Sequence, residues 1–139
     1  MCAELEKRAA GSDEAEIRRL ILGWARAVRE EDFAGIRAHH SDDMLMFDVP
    51  PPFKSCGLDA YMATWGLFYP MQARPIRFEF EQIEIKAGPD VAFSTAIGHC
   101  AYIERGEVTD LQFRLTMGLE KRDGEWMIVH EHHSVPATD

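Results

Sequence analysis

Cysteine is scarce in this chain. The 139 residues hold three, Cys2, Cys56 and Cys100, an odd number, widely spaced and without a C-x-x-C pair, so neither a disulfide framework nor a cysteine zinc site is indicated. Free thiols suit a reducing compartment, which predicts a cytoplasmic protein. Long hydrophobic runs are missing: nowhere do about 18 apolar residues follow one another, so no helical membrane span is expected. The opening MCAELEKRAAGSDEAE lacks the apolar stretch of a secretory signal. Positive charge is in deficit, with 15 Lys+Arg against 24 Asp+Glu and a net charge of −9. Phosphate binding needs a basic face, so nucleic acid is not an expected partner; the acidic surplus serves solubility. Gly-rich phosphate loops, G-x-S-x-G elbows and H-E-x-x-H helices do not occur, leaving nucleotide chemistry and covalent acyl transfer without support.

What remains is an ordinary globular composition, 46% apolar, and a length that suits one domain able to stand without disulfides or a structural metal. Residues 1–12 are polar and read as a frayed or helical N-terminal arm, 13–136 as the domain and 137–139 as a tail. Ser12 or Asp13 is placed to cap a helix, and Ile17, Leu20, Ile21, Trp24, Ala27 and Val28 form the i, i+3, i+4, i+7 stripe of one buried helix face. Phe33 to His40 reads as a short second helix, closed by His39 and His40 at its negative end. Met44 to Val49 reads as a strand stopped by Pro50-Pro51-Pro52, and Gly57 to Phe68 as a third helix. Strands follow: 76–86 with a bulge near Glu81-Gln82 where the alternation slips phase, 91–104, 108–122 and 125–135, the last two joined at Asp123-Gly124. Helices first and an antiparallel meander afterwards is an α+β pattern. Long strands beneath three helices must curl, which predicts a cone enclosing a partly filled pocket.

The tryptophan-bearing first helix, the segment MLMFDVPPPFKSCGLDAYMATW and the ending LQFRLTMGLEKRDGEWMIVHEHHSVP, in that order, resemble the SnoaL-like family of the ketosteroid isomerase and nuclear transport factor 2-like superfamily. The resemblance runs over about residues 13–136. It implies the cone fold and a homodimer formed through the sheet. It implies no single activity, because the superfamily holds isomerases, cyclases, dehydratases, epoxide hydrolases and binding modules.

Asp48 is the first candidate for chemistry. In the isomerase branch a carboxylate entering the cone from a comparable region is the general base, and apolar surroundings make a carboxylate a stronger base. A structural cap of nearby amides is the alternative. The cluster Val129-His130-Glu131-His132-His133 is the second. Alternation puts His130 and His132 on one face and Glu131 and His133 on the other, and the hairpin register decides which pair faces inward. A two-residue loop would set His130 beside Met117; a bulged turn at Gly124 would pair Thr116 with His130 and Arg114 with His132. The second register is favoured, because it gathers Trp126, Ile128, His130, His132, Thr116 and Arg114 on one face and leaves Phe113, Leu115, Met117, Leu119, Met127 and Val129 for a dimer interface. A one-residue error inverts that assignment.

On that reading Asp48 is the base, Arg114 holds an oxyanion or carboxylate, and His130 or His132 relays a proton; the alternative is a hydrogen-bond network that only satisfies polar groups. Trp24, Tyr61, Trp65, His99 and Thr116 are candidate ligand contacts. His130-x-His132 with Asp48 could ligate a metal, but no further carboxylate or cysteine is aligned, so no metal and no cofactor are expected. Neither Cys56 nor Cys100 is assigned a nucleophilic role. The expected function is that of a pocket for a small, largely apolar ligand, acting as an isomerase, cyclase or hydratase by proton transfer near a carbonyl. A non-catalytic dimeric binding or accessory domain is the alternative.

Overall fold

The computed structural model describes residues 2–137, with side chains from Asp13 onward. In chain order the elements are α1 (Cys2–Arg29), α2 (Phe33–Arg37), β1 (His40–Phe47), β2 (Ser55–Cys56), α3 (Leu58–Phe68), a single 3₁₀ turn (Tyr69–Met71), β3 (Phe78–Ala87), β4 (Val91–Glu104), β5 (Glu107–Arg122) and β6 (Glu125–Ser134). The six strands form one curved, unclosed sheet in the order β2, β1, β6, β5, β4, β3. The meander supplies the last four. β1 enters beside β6 in parallel, and β2 adds a short antiparallel edge. No helix among the described residues is long and apolar enough to cross a membrane.

The predicted stripe is the buried face of α1: Ile17, Ile21, Trp24, Ala27 and Val28 lie in the core. The helix runs through Gly11-Ser12 instead of starting there, so the expected cap is absent. Asp13 instead accepts hydrogen bonds from Lys121 Nζ and Trp126 Nε1, each at 3.1 Å. The second helix is shorter than its sequence suggests. It ends at Arg37, and His39 takes a left-handed φ of 61°. That residue's carbonyl then receives Ile128 N at 2.7 Å, which draws His40 into β1 as a fully covered strand residue rather than a helix terminus. The bulge expected in the first meander strand is present: register shifts between Glu81 and Glu84, with Gln82 at a φ of 53°.

The register of the final hairpin differs from the expected one. Arg122 pairs with Glu125 across a two-residue loop, with Asp123 and Gly124 at φ 51° and 78°, the twist that suits a tight hairpin. The extra residue comes later, at Val129: Leu119 faces Ile128, but Gly118 faces His130. Trp126 and Ile128 point inward before the bulge, Glu131 and His133 after it. Thr116 therefore pairs with His132 and Arg114 with Ser134, and Arg114, Thr116 and His132 are exposed on the outer face. Phe113, Leu115, Met117 and Leu119, expected at an interface, are core residues. Each such burial is worth roughly 1.5–3 kcal/mol, which is why the sheet prefers the register that covers them.

Candidate functional site

A cavity of about 290 Å³ opens between the end of α3, the Asp48–Pro52 segment and the inner faces of the meander. Its walls are mostly aromatic and aliphatic, with Trp65, Phe68, Phe78 and Phe113 among them. Asp48 and His133 both reach it. Asp48 leaves β1 at the start of the proline run, where further pairing is impossible, and its Oδ1 accepts the Val49 amide at 2.8 Å. The structural cap and the cavity position are thus both features of Asp48.

His133 is held by its neighbours. Phe113 stacks on its ring at 5.7 Å between centroids and 12° between planes, and Trp24 meets it edge-on at 6.3 Å. Its Nε2 donates to Glu131 Oε1 at 2.8 Å. Glu131 has no exposed surface, and a buried carboxylate is tolerated only when paired and hydrogen-bonded. Its other oxygen, Oε2, takes the Tyr61 hydroxyl at 2.7 Å and lies 2.5 Å from His40 Nε2. Trp24 Nε1 donates to the Tyr61 oxygen at 3.0 Å.

These contacts set the acidities. Burial alone would raise the Glu131 carboxyl, but the hydrogen bonds and charges of His133 and His40 outweigh it and hold the group at about 2. For His133, burial works against protonation, yet the Glu131 hydrogen bond and charge, with a smaller pull from Asp48, raise its pKa. The Tyr61 hydroxyl is pushed well up, first by burial and then by the Glu131 charge. Burial also pushes the Cys100 thiol on the cavity wall up to about 11, so it stays a thiol, in keeping with the expectation that it is no nucleophile.

Of the residues singled out in the sequence, the cavity gathers Asp48 and Trp65. Trp24 and Tyr61 sit behind it in the Glu131 network. Arg114 lies on the opposite face, its Nε bonded to Ser134 Oγ at 3.1 Å. His130 turns its Nδ1 to the Leu45 carbonyl at 2.7 Å, and His132 packs its exposed ring against Phe47. His99 and Thr116 are also outside; His99 lies 3.4 Å from Glu81. No cluster of His, Cys, Asp and Glu that could hold a metal is found among the described residues. Glu131, His133 and His40 are the residues that alternation alone did not select. For Glu131 and His133 the signal in the sequence is a glutamate flanked by histidines in β6; His40, in β1, carries no such signal.

Residues 17–138 match the family model described as a SnoaL-like domain. A nuclear transport factor 2-like protein of unknown function from Pseudomonas putida is 33% identical, with a TM-score of 0.81 over 91% of this chain and 88% of that one. A ketosteroid isomerase-like protein from Erwinia carotovora atroseptica (18% identity, TM-score 0.73, 88% and 96% covered) shares the fold. So does a candidate scytalone dehydratase from Novosphingobium aromaticivorans (16% identity, TM-score 0.77, 90% and 85% covered). No curated protein matches the chain.

Proposed function

We propose, for a chain that belongs to the SnoaL-like domain family, that its cavity takes a small, largely apolar carbonyl compound and moves a proton beside that carbonyl. The observation that carries this reading is the pairing of Asp48 with His133 on the wall of an otherwise apolar cavity. A carboxylate and an imidazole on one apolar wall offer a candidate base and a candidate acid. Asp48 takes the proton from the carbon next to the carbonyl. His133, kept protonated to higher pH by Glu131, gives its proton to the carbonyl oxygen, so the product is the enol. Return of a proton at another carbon completes an isomerisation, and loss of a β-hydroxyl as water completes a dehydration. Both balance within the substrate and these two side chains.

The entrance supports an apolar ligand. Val49, Leu67 and Met71 border the cavity and are 47%, 68% and 59% exposed. Inside, Gln72 Oε1 is buried without a partner among the described residues, and an unsatisfied acceptor costs ~1–3 kcal/mol until a donor arrives, so a hydroxyl on the ligand suits it. On the outer sheet face, exposed Val91 and Phe93 beside half-buried Ile97 support the pairing of two chains, which sedimentation equilibrium would test.

α-Deuterium exchange into 2-tetralone in D₂O, followed by proton NMR, tests the reading. The protein is expected to accelerate exchange over buffer, and Asp48→Asn and His133→Gln each to lose about 10²-fold or more. Exchange at the buffer rate, or both variants at the parent rate, would remove proton transfer from the account. In that case ligands that raise the melting temperature and are recovered unchanged would mark a binding domain.

A further inference from the structure

We infer that His40 is a positioning residue: with Tyr61 it occupies one oxygen of Glu131, so that His133 is held as the Nε2–H tautomer and Nδ1 is the nitrogen that exchanges protons with a ligand. The inference goes deeper into the proposed site, and it rests on hydrogen-bond geometry that can be tested without substrate.

The donors and acceptors around Glu131 fix where the protons sit. Indole N–H can only donate, so the Tyr61 oxygen accepts from Trp24 Nε1, and the single Tyr61 proton goes to Glu131 Oε2. His40 Nδ1 faces the Ala38 carbonyl at 3.1 Å, which can only accept, so Nδ1 carries a proton. Its Nε2 stands 2.5 Å from Glu131 Oε2. Two lone pairs do not face each other at that distance in a buried site, so a further proton lies between them. Wherever along that short contact it sits, His40 and Glu131 together carry no net charge. The Tyr61 ring stacks on His40, 4.8 Å between centroids, which keeps the imidazole aimed.

Oε1 is then the oxygen left for His133, whose Nε2 it engages. No group among the described residues bonds His133 Nδ1, and that atom is not among the buried polar atoms lacking a partner; it is the nitrogen left to the cavity that His133 lines. The charged and titratable groups facing His133 are Glu131 on its own strand, Asp48 after β1, and Cys100 on β4 across the cavity, with His40 and Tyr61 acting through Glu131. His40 therefore moderates how strongly Glu131 holds a proton on His133. With the carboxylate already balanced, His133 remains able to release its proton as well as keep it.

Long-range proton–nitrogen NMR of the ¹⁵N-labelled ligand-free protein reads both halves of the inference, with His133→Gln identifying the resonances. In its neutral form His133 should show Nε2 protonated and Nδ1 bare. His40→Gln supplies a neutral donor but no proton to share, and His40→Leu supplies neither, so the His133 titration midpoint should rise by about one pH unit or more in each folded variant. Tyr61→Phe should move it the same way by less. A bare Nε2, or a midpoint that stays within about 0.3 pH unit in a folded His40→Gln protein, would reduce His40 to packing. Because no substrate enters, either result stands apart from success or failure of the deuterium-exchange test. If that test succeeds, the upper limb of the exchange rate against pH should shift with the NMR midpoint.

Discussion

Replacing Glu131 by glutamine keeps the shape of the most deeply buried acid and removes its charge. The parent carboxylate receives Tyr61 Oη at 2.7 Å, His40 Nε2 at 2.5 Å and His133 Nε2 at 2.8 Å. An amide offers one oxygen to these groups and turns an N–H toward at least one of them. The charge contribution can be sized from the carboxyl's acidity. Holding it at about 2 instead of 4.5 is worth on the order of 3 kcal/mol. For a domain of this length that is a fall of roughly 10 °C in Tm. The pH dependence separates charge from packing. A depressed carboxyl stabilises the fold above pH 4.5 and loses that contribution as pH falls toward about 2. His133, whose pKa is raised, stabilises it below 6.5 and loses that contribution as pH rises through the higher folded value. The gap between parent and Glu131→Gln should therefore be widest between about pH 4.5 and 6.5 and narrow by roughly 2 kcal/mol on going to pH 3. Thermal and urea melts followed by circular dichroism at pH 3, 5.5 and 8.5 measure it. A gap below about 1 kcal/mol at pH 5.5, or one that does not change with pH, would refute the reasoning.

Two further outcomes follow from the cavity wall. A Cβ at Gly98 would stand 2.3 Å from Phe113 Cζ, and that ring is packed between Phe78 and His133; Gly98→Ala should cost about 1–3 kcal/mol by overpacking, read as a lower urea midpoint, and should slow 2-tetralone exchange because the ring that orients His133 is displaced. Leu67 is 68% exposed at the entrance, so Leu67→Ser should leave stability within about 0.5 kcal/mol yet weaken 2-tetralone binding roughly fivefold, about 1 kcal/mol of lost apolar contact, by titration calorimetry.

The fold was legible because its signals are local and repeated. The α1 stripe, the phase slip at Gln82 and the Asp123-Gly124 turn each have a physical cause that acts within a few residues, and each stands where the sequence puts it. The proline-stopped strand is present too, but it runs His40–Phe47 and ends two residues before Val49. The site was only half legible. Asp48 borders the cavity, while Arg114, His130 and His132 do not. Both inward sets, Trp126 with Ile128 and Glu131 with His133, had been seen as patterns. The single residue Val129 that lets both face inward leaves no trace in alternation, since a bulge is a slip of one. His40 was hidden for a different reason. A left-handed His39 ends the short helix early, and the histidine then enters a strand whose partner lies about ninety residues downstream, beyond the reach of local propensity.

The apolar entrance also bears on how this protein is handled. Water against Val49, Leu67 and Met71 is weakly held, so a greasy molecule meets an open, easily dried path to Phe78. On the proposed reading, detergents and long-chain buffer additives would compete for the same path. If the cavity takes apolar ligands as proposed, preparations made with such additives should show slower 2-tetralone exchange than preparations made without them.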